Sequence, residues 1–246
     1  LRNRRQRQMC IRDSSGVAGF AEYAVLPKEA LVRIDKHIPF EHAALFGCGV
    51  VTGVGAVINT ASAREEDSIA IVGLGGVGLS ALLASIAIGS KKTIAIDLSN
   101  EKLNLAHELG ADHILNPNDA NFLERVRDLT SGGANIAIET AGSGRALKTA
   151  YDITRRGGTT VAAGMPGPKV DITLSHLSIA AEERIIKGSY MGSCIAHRDI
   201  PKYLDMFQTG KLPVDRLLSR KITFEDLNAA MDRLDDAKTV REVLIP

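Results

Sequence analysis

Tryptophan is missing from this chain, and aromatic residues make up only 4% of it. That excludes a core built on large rings. With 23 glycines, a core of Val, Ile, Leu and Ala fits a parallel α/β sheet better than an aromatic-rich sandwich. Cysteine is scarce too. Cys10, Cys48 and Cys194 are odd in number, far apart and without a C-x-x-C pair. Neither a disulfide framework nor a self-contained zinc knuckle can be built from them, and a reducing, cytoplasmic location is expected. An excess of one charge is also lacking: 30 Lys and Arg against 29 Asp and Glu leave +1. That balance excludes a nucleic-acid binder held by charge and an acidic disordered chain. Leu1–Arg12 is basic with no apolar core behind it, so no signal peptide is expected there.

What is present is an ordinary globular mix, 45% hydrophobic and 24% charged, in 246 residues. That length allows one large domain or two modest ones. Ala43–Ala63 and Ile69–Ser90 run uncharged for about the length of a membrane span. Glycines interrupt both, and a strand, a tight turn and a buried helix explain the second run better, so no membrane partner is expected.

From Ser68 onward short apolar runs alternate with helical stretches. Strands are expected at Ser68–Val72, Thr93–Ile96, His113–Leu115, Ile136–Ile138, Thr159–Ala163 and Ile185–Tyr190. Helices are expected at Gly76–Ile88, Asn100–Gly110, Asp119–Thr130 and Arg145–Thr154. This alternation is the pattern of a doubly wound parallel sheet. The flanks read differently. Gly16–Asp35 contains AEYAV and LVRI, which look like strands of another body. After Tyr190 come a helix at Asp199–Gln208, a strand around Leu217–Phe224, a helix at Glu225–Leu234 and a strand at Arg241–Ile245.

Gly73-Leu-Gly75-Gly76-Val77-Gly78 fits the dinucleotide fingerprint G-x-G-x-x-G, directly after a strand and opening a helix. Alone the pattern is weak; its context strengthens it. Gly73 permits a tight turn, Gly75 the approach of a pyrophosphate, and Gly78 close helix–strand packing. Asp97 ends the second strand, where a carboxylate takes the adenosine ribose hydroxyls and repels a 2′-phosphate, favouring NAD over NADP. The plainer reading of Asp97 is a solvated cap of the next helix. His37, His42, His107, His113, His176 and His197 show no metal-ligand spacing, and Cys194 reads as a quiet thiol.

GLGGVG followed by IAIDLSNEK resembles the medium-chain dehydrogenases, in their zinc alcohol dehydrogenase branch. AALFGCGVVTGVGA, GKLPVDRLL and ITFEDLNAAMDRL extend the likeness from about Gly16 to Pro246. The resemblance implies a Rossmann sheet with remnants of a GroES-like β-rich catalytic domain on both sides. The division it implies is a leader of unrelated origin at 1–15, a catalytic-domain remnant at 16–49, an NAD-binding domain at 50–190, and a return to the catalytic domain at 191–246. Cys48 falls where the family places a thiolate on catalytic zinc; as a residue alone it reads as a small apolar side chain. Thr52 resembles the residue beside the nicotinamide, and Val77 packs on the ring's other face. Lys102 matches a residue near the adenosine ribose. Glu139 ends the fourth strand, and Thr140–Gly142 pass near the adenine side. Ala163 and Met165 match backbone contacts to the carboxamide. Arg241 matches a pyrophosphate contact, or is a surface arginine.

The activity implied is NAD-dependent oxidation of a small alcohol to an aldehyde or ketone, in a homodimer or homotetramer. The family's catalytic domain, with the other zinc ligands, is expected to precede Gly16 in the complete protein. A zinc-free quinone-type reductase of the same superfamily and a non-catalytic NAD-binding module are the alternatives.

Overall fold

The computed structural model describes residues 19–233 and 239–245. The expected leader lies outside them. Six parallel strands form one sheet: β1 (Ser68–Val72), β2 (Lys92–Ile96), β3 (His113–Leu115), β4 (Ala134–Glu139), β5 (Thr154–Ala162) and β6 (Ile185–Gly188). Their spatial order is β3-β2-β1-β4-β5-β6, so the chain reverses its direction of travel between β1 and β4. That reversal leaves a crevice at the carboxyl ends of the two central strands, where ligands of doubly wound sheets bind.

Helices cover both faces. Besides a single helical turn at Phe40–Ala43, they are α1 (Gly49–Gly55, continued by a π turn at Ala56–Thr60), α2 (Gly76–Ala87), α3 (Asn100–Glu108), α4 (Phe122–Thr130), α5 (Gly144–Ile153), α6 (His176–Ala181), α7 (Ala196–Gln208) and α8 (Leu227–Asp232). Strand alternation divides the core in two. Ile69 and Ile71 of β1 face one apolar cluster with Leu79 and Leu82 of α2. Ala70 and Val72 face the other, with Val126 of α4 and Ile153 of α5. Central strands buried on both sides explain why the apolar runs were continuous rather than alternating.

Local chemistry moves several boundaries. α4 begins at Phe122 rather than Asp119 because Asn121 is left-handed, with φ of 62°. β5 begins early: Thr154 already pairs with Ala134, and a bulge follows before Thr159 pairs further along β4. The Thr154 hydroxyl caps the end of α5 by donating to the Ala150 carbonyl at 2.7 Å.

One expectation fails. AEYAV and LVRI are not strands: the described residues from 19 to 35 hold a single 3-10 turn, Lys28–Ala30. Tyr23 and Val25 are almost wholly exposed. A strand needs a paired edge for its backbone polar groups, and no described residue offers one to this segment. On the other flank β7 (Leu218–Ile222) and β8 (Arg241–Leu244) pair in parallel as a separate two-stranded ribbon. No single helix among the described residues is long and apolar enough to cross a membrane. One bent pair, Phe40–Gly47 with Gly49–Thr60, passes on length and composition, yet Gly49–Val57 are all buried within the protein.

Candidate functional site

β1 runs into the glycine turn and out into α2. Gly73 has φ of +94°, a conformation that a side chain disfavours. A methyl group on it would also strike Ala141, whose nitrogen would be 2.8 Å away. Gly78 packs directly on the Gly73 carbonyl, and a methyl there would also come within 2.7 Å of the Thr140 hydroxyl. Gly75, by contrast, faces open space. It is the N-cap of α2 and, having no side chain, caps none of the N–H groups of the helix start, which are left for a ligand in the crevice. Thr140 fixes this turn from β4: its N–H donates to Val72 O at 2.9 Å and its hydroxyl to Gly73 O at 2.6 Å.

Asp97 reaches the turn from β2. Its Oδ2 accepts the Leu74 N–H at 2.7 Å and its Oδ1 the Ser99 N–H at 2.9 Å. The cap of α3 is Ser99, whose hydroxyl accepts the Lys102 N–H, so Asp97 is not that cap. Gly73, Asp97 and Lys102 line one cleft of about 250 Å³, with Ala141, Ser143 and Arg145 on its far wall. Ser143 and Arg145 escaped the sequence reading. Their signal was position: they open α5 just past the carboxyl end of β4, where the crevice must lie. Arg145 is held there by donating to Asn118 Oδ1 at 2.6 Å.

Cys48 and Arg241 share a second, open groove with Gly49 and Phe20. The Arg241 guanidinium lies over both Gly49 and Gly76, at the amino ends of α1 and α2; methyl groups there would come 3.0 Å and 2.5 Å from its Cζ. Cys48 is exposed. Thr52, one turn on, is buried, and its hydroxyl donates to Cys48 O at 2.8 Å. Val77 is half-buried, its carbonyl against Gly53. Ala163 and Met165 follow β5. The Ala163 N–H is already given to Glu139 O at 2.8 Å, which leaves its carbonyl for a ligand, and Met165 is 77% exposed.

A catalytic zinc needs three protein ligands and an open position. Among the described residues no three His, Cys, Asp or Glu side chains come together to hold a metal. Cys48 alone does not make a zinc site. Cys194 is a different thiol: burial and the neighbouring Asp199 push it up to about 11. A dinucleotide fits far better than a metal does, since an open helix start, a cationic guanidinium and a carboxylate-lined cleft follow one another across the carboxyl ends of the central strands.

A family model described as zinc-binding dehydrogenase matches residues 76–209. The chain belongs to that family. It is a medium-chain dehydrogenase of the zinc alcohol dehydrogenase type. Among its relatives is an alcohol dehydrogenase class-2 isozyme 2 of Oryctolagus cuniculus, 33% identical over 236 residues, covering 94% of this chain and 61% of that protein. An S-(hydroxymethyl)glutathione dehydrogenase of Paracoccus denitrificans is 29% identical, covering 94% of this chain and 63% of that protein. The benzyl alcohol dehydrogenase structure from Acinetobacter calcoaceticus superposes with a TM-score of 0.89 at 31% identity, over 93% of this chain and 63% of that one. The chain thus spans about three-fifths of the length of the relatives it matches.

Proposed function

We propose that this chain is the cofactor-binding part of an NAD-dependent dehydrogenase that reversibly oxidises a small alcohol to an aldehyde or ketone. The observation that carries the reading is the junction of the glycine turn with Asp97. The open start of α2 and the bound carboxylate stand where a pyrophosphate and a ribose would lie side by side. NAD, when bound, supplies the hydride acceptor. The chain's own residues bind and orient it. Gly75, Gly76, Val77 and Gly78 present N–H groups to the pyrophosphate, and Arg241 offsets its charge. Asp97 accepts the ribose hydroxyls and Lys102 flanks them. Thr52 and Val77 bracket the nicotinamide, and the backbone of Ala163 and Met165 holds its carboxamide. In this reading residues 50–190 form the NAD domain, between pieces of a catalytic domain at 16–49 and 191–246.

Cys48 is proposed as one ligand of a catalytic zinc whose other ligands lie outside this chain. Among the described residues the sheet ends in β6, with Ile185 and Ile186 exposed on an edge that no other strand pairs. That edge supports association of two copies by strand pairing in the complete protein.

The test joins this chain to the catalytic portion that its relatives possess. Tightly held zinc and alcohol-dependent NAD reduction are expected, and Cys48→Ala should remove both. Full zinc content and turnover in that variant would overturn the metal role. Turnover without zinc would favour a zinc-free reductase, and NAD binding without turnover a non-catalytic module.

A further inference from the structure

Glu139 ends β4 with a carboxyl group that is 2% exposed. No Lys, Arg or His pairs with it among the described residues. Backbone N–H groups meet it instead. The Gly142 N–H donates to its Oε1 at 2.5 Å, and the amides of Ala141 and Ser143 also face it. Its own carbonyl accepts from Ala163 at 2.8 Å and Gly164 at 2.9 Å. Burial pushes the carboxyl above the usual glutamate range, and the amides oppose that rise.

Two loops meet at this carboxyl. A methyl group on Gly164 would come 2.7 Å from Gly142 Cα and 2.8 Å from Glu139 Oε1. One on Gly142, already at φ of +68°, would come 2.7 Å from Met165 O. The loop after β5 therefore lies backbone against backbone on the turn after β4. That turn is in turn fixed to the glycine turn, because Thr140 donates to Gly73 O. A continuous path runs from the glycine turn through Thr140 and Glu139 to Ala163–Met165.

We propose that Glu139 is a positioning residue for the nicotinamide half of the cofactor: its carboxylate holds the Gly142 turn, and with it the Ala163–Met165 loop packed on that turn, at a set place relative to the glycine turn. This rests on the NAD reading above. An ionised carboxylate is the group the socket suits, since it only accepts, whereas a glutamine of equal size turns an NH2 toward donors. Asp97 and Lys102 of the adenosine end lie on the other side of β1; the turn that Glu139 holds supplies only the far wall of their cleft, through Ala141 and Ser143.

The experiment is calorimetry of the full chain with NAD and with ADP-ribose, which lacks the nicotinamide. Glu139→Gln should weaken NAD about tenfold and ADP-ribose, whose cleft the same turn borders, by no more than about threefold. Gly164→Ala wedges the loop away while leaving the carboxylate, and should give the same selective loss. In the wild type the ratio of NAD to ADP-ribose affinity should fall with acid, starting above the pH at which an exposed glutamate protonates. In Glu139→Gln that ratio should be flat. The turn, the start of α5 and the loop to Ile172 place no other titratable side chain in the small cavity around Glu139. Unchanged NAD affinity in Glu139→Gln, or equal losses for both ligands, would overturn the assignment. A wild type that binds neither ligand would instead overturn the NAD reading itself.

Discussion

The guanidinium of Arg241 lies against the α-carbon of Gly76, so that β8, from the far end of the chain, reaches the start of α2. The strand that carries it is braced. Glu242 makes a two-bond ion pair with Arg233 of the α8 end, both bonds 2.9 Å long. The Ser219 hydroxyl of β7 accepts the Val240 N–H at 3.0 Å. Arg241 is thereby a cation held at a helix amino end, a place that already favours anions.

Removing that cation gives the first prediction. Arg241→Ala should weaken NAD and ADP-ribose by a similar factor, about tenfold or more for a lost charged hydrogen bond. Adenosine, which has no phosphate, should bind almost unchanged. Calorimetry with the three ligands checks this, and an equal loss for adenosine would indicate a folding defect in place of a lost contact.

The glycine turn makes a second prediction by contrast. Gly78→Ala places a methyl against the Gly73 carbonyl and the Thr140 hydroxyl, where two backbone segments leave no space. It should cost about 2–3 kcal/mol of stability, as overpacking of a buried site does. Gly75→Ala meets no atom within 4 Å. Its stability should stay within about 0.5 kcal/mol of wild type, while NAD affinity falls because the methyl occupies the pyrophosphate's approach. Thermal melts with and without NAD separate the two outcomes.

Acid should expose a third group. Asp199 is buried at the start of α7, where it accepts the Ile195 N–H at 2.8 Å and two bonds from Arg198, at 2.6 and 2.9 Å. The Arg198 hydrogen bonds hold its carboxyl below the usual aspartate range. A group whose folded pKa is depressed stabilises fully above its unfolded value, near 3.9. That stability is lost as pH falls from there through the lower folded value. Wild type should therefore lose melting temperature below about pH 4 more steeply than Asp199→Asn, which should be less stable at pH 7 but flatter in acid. Parallel pH profiles would contradict this.

The central strands were legible because burial on both faces wrote them as unbroken apolar runs, and β1 matches its expected span residue for residue. The glycine turn was legible because Gly73 and Gly78 answer contacts within a few residues or a strand away. What escaped depends on distant partners. Asn121 adopts a left-handed conformation that no periodicity announces, which delays α4. AEYAV has the alternation of a strand, but alternation does not supply an edge to pair with. Arg145 is placed by Asn118 of the segment after β3, the Glu139 socket arises only where the loops after β4 and β5 converge, and no local pattern encodes either meeting. Cys48, Ala163 and Met165 were named through family likeness alone: no set of three metal ligands forms at Cys48 among the described residues, and the Ala163 N–H is given to Glu139 O.

The central claim is that this crevice holds NAD with Asp97 on the adenosine ribose. The most direct measurement titrates NAD and NADP into the wild type and into Asp97→Ser by calorimetry. The account predicts that wild type binds NAD well ahead of NADP. In the variant NAD should lose charged hydrogen bonds worth on the order of 1.5–3 kcal/mol, and the gap to NADP should narrow. Equal NAD affinity in the two proteins, or a wild type that does not distinguish NAD from NADP, would contradict it.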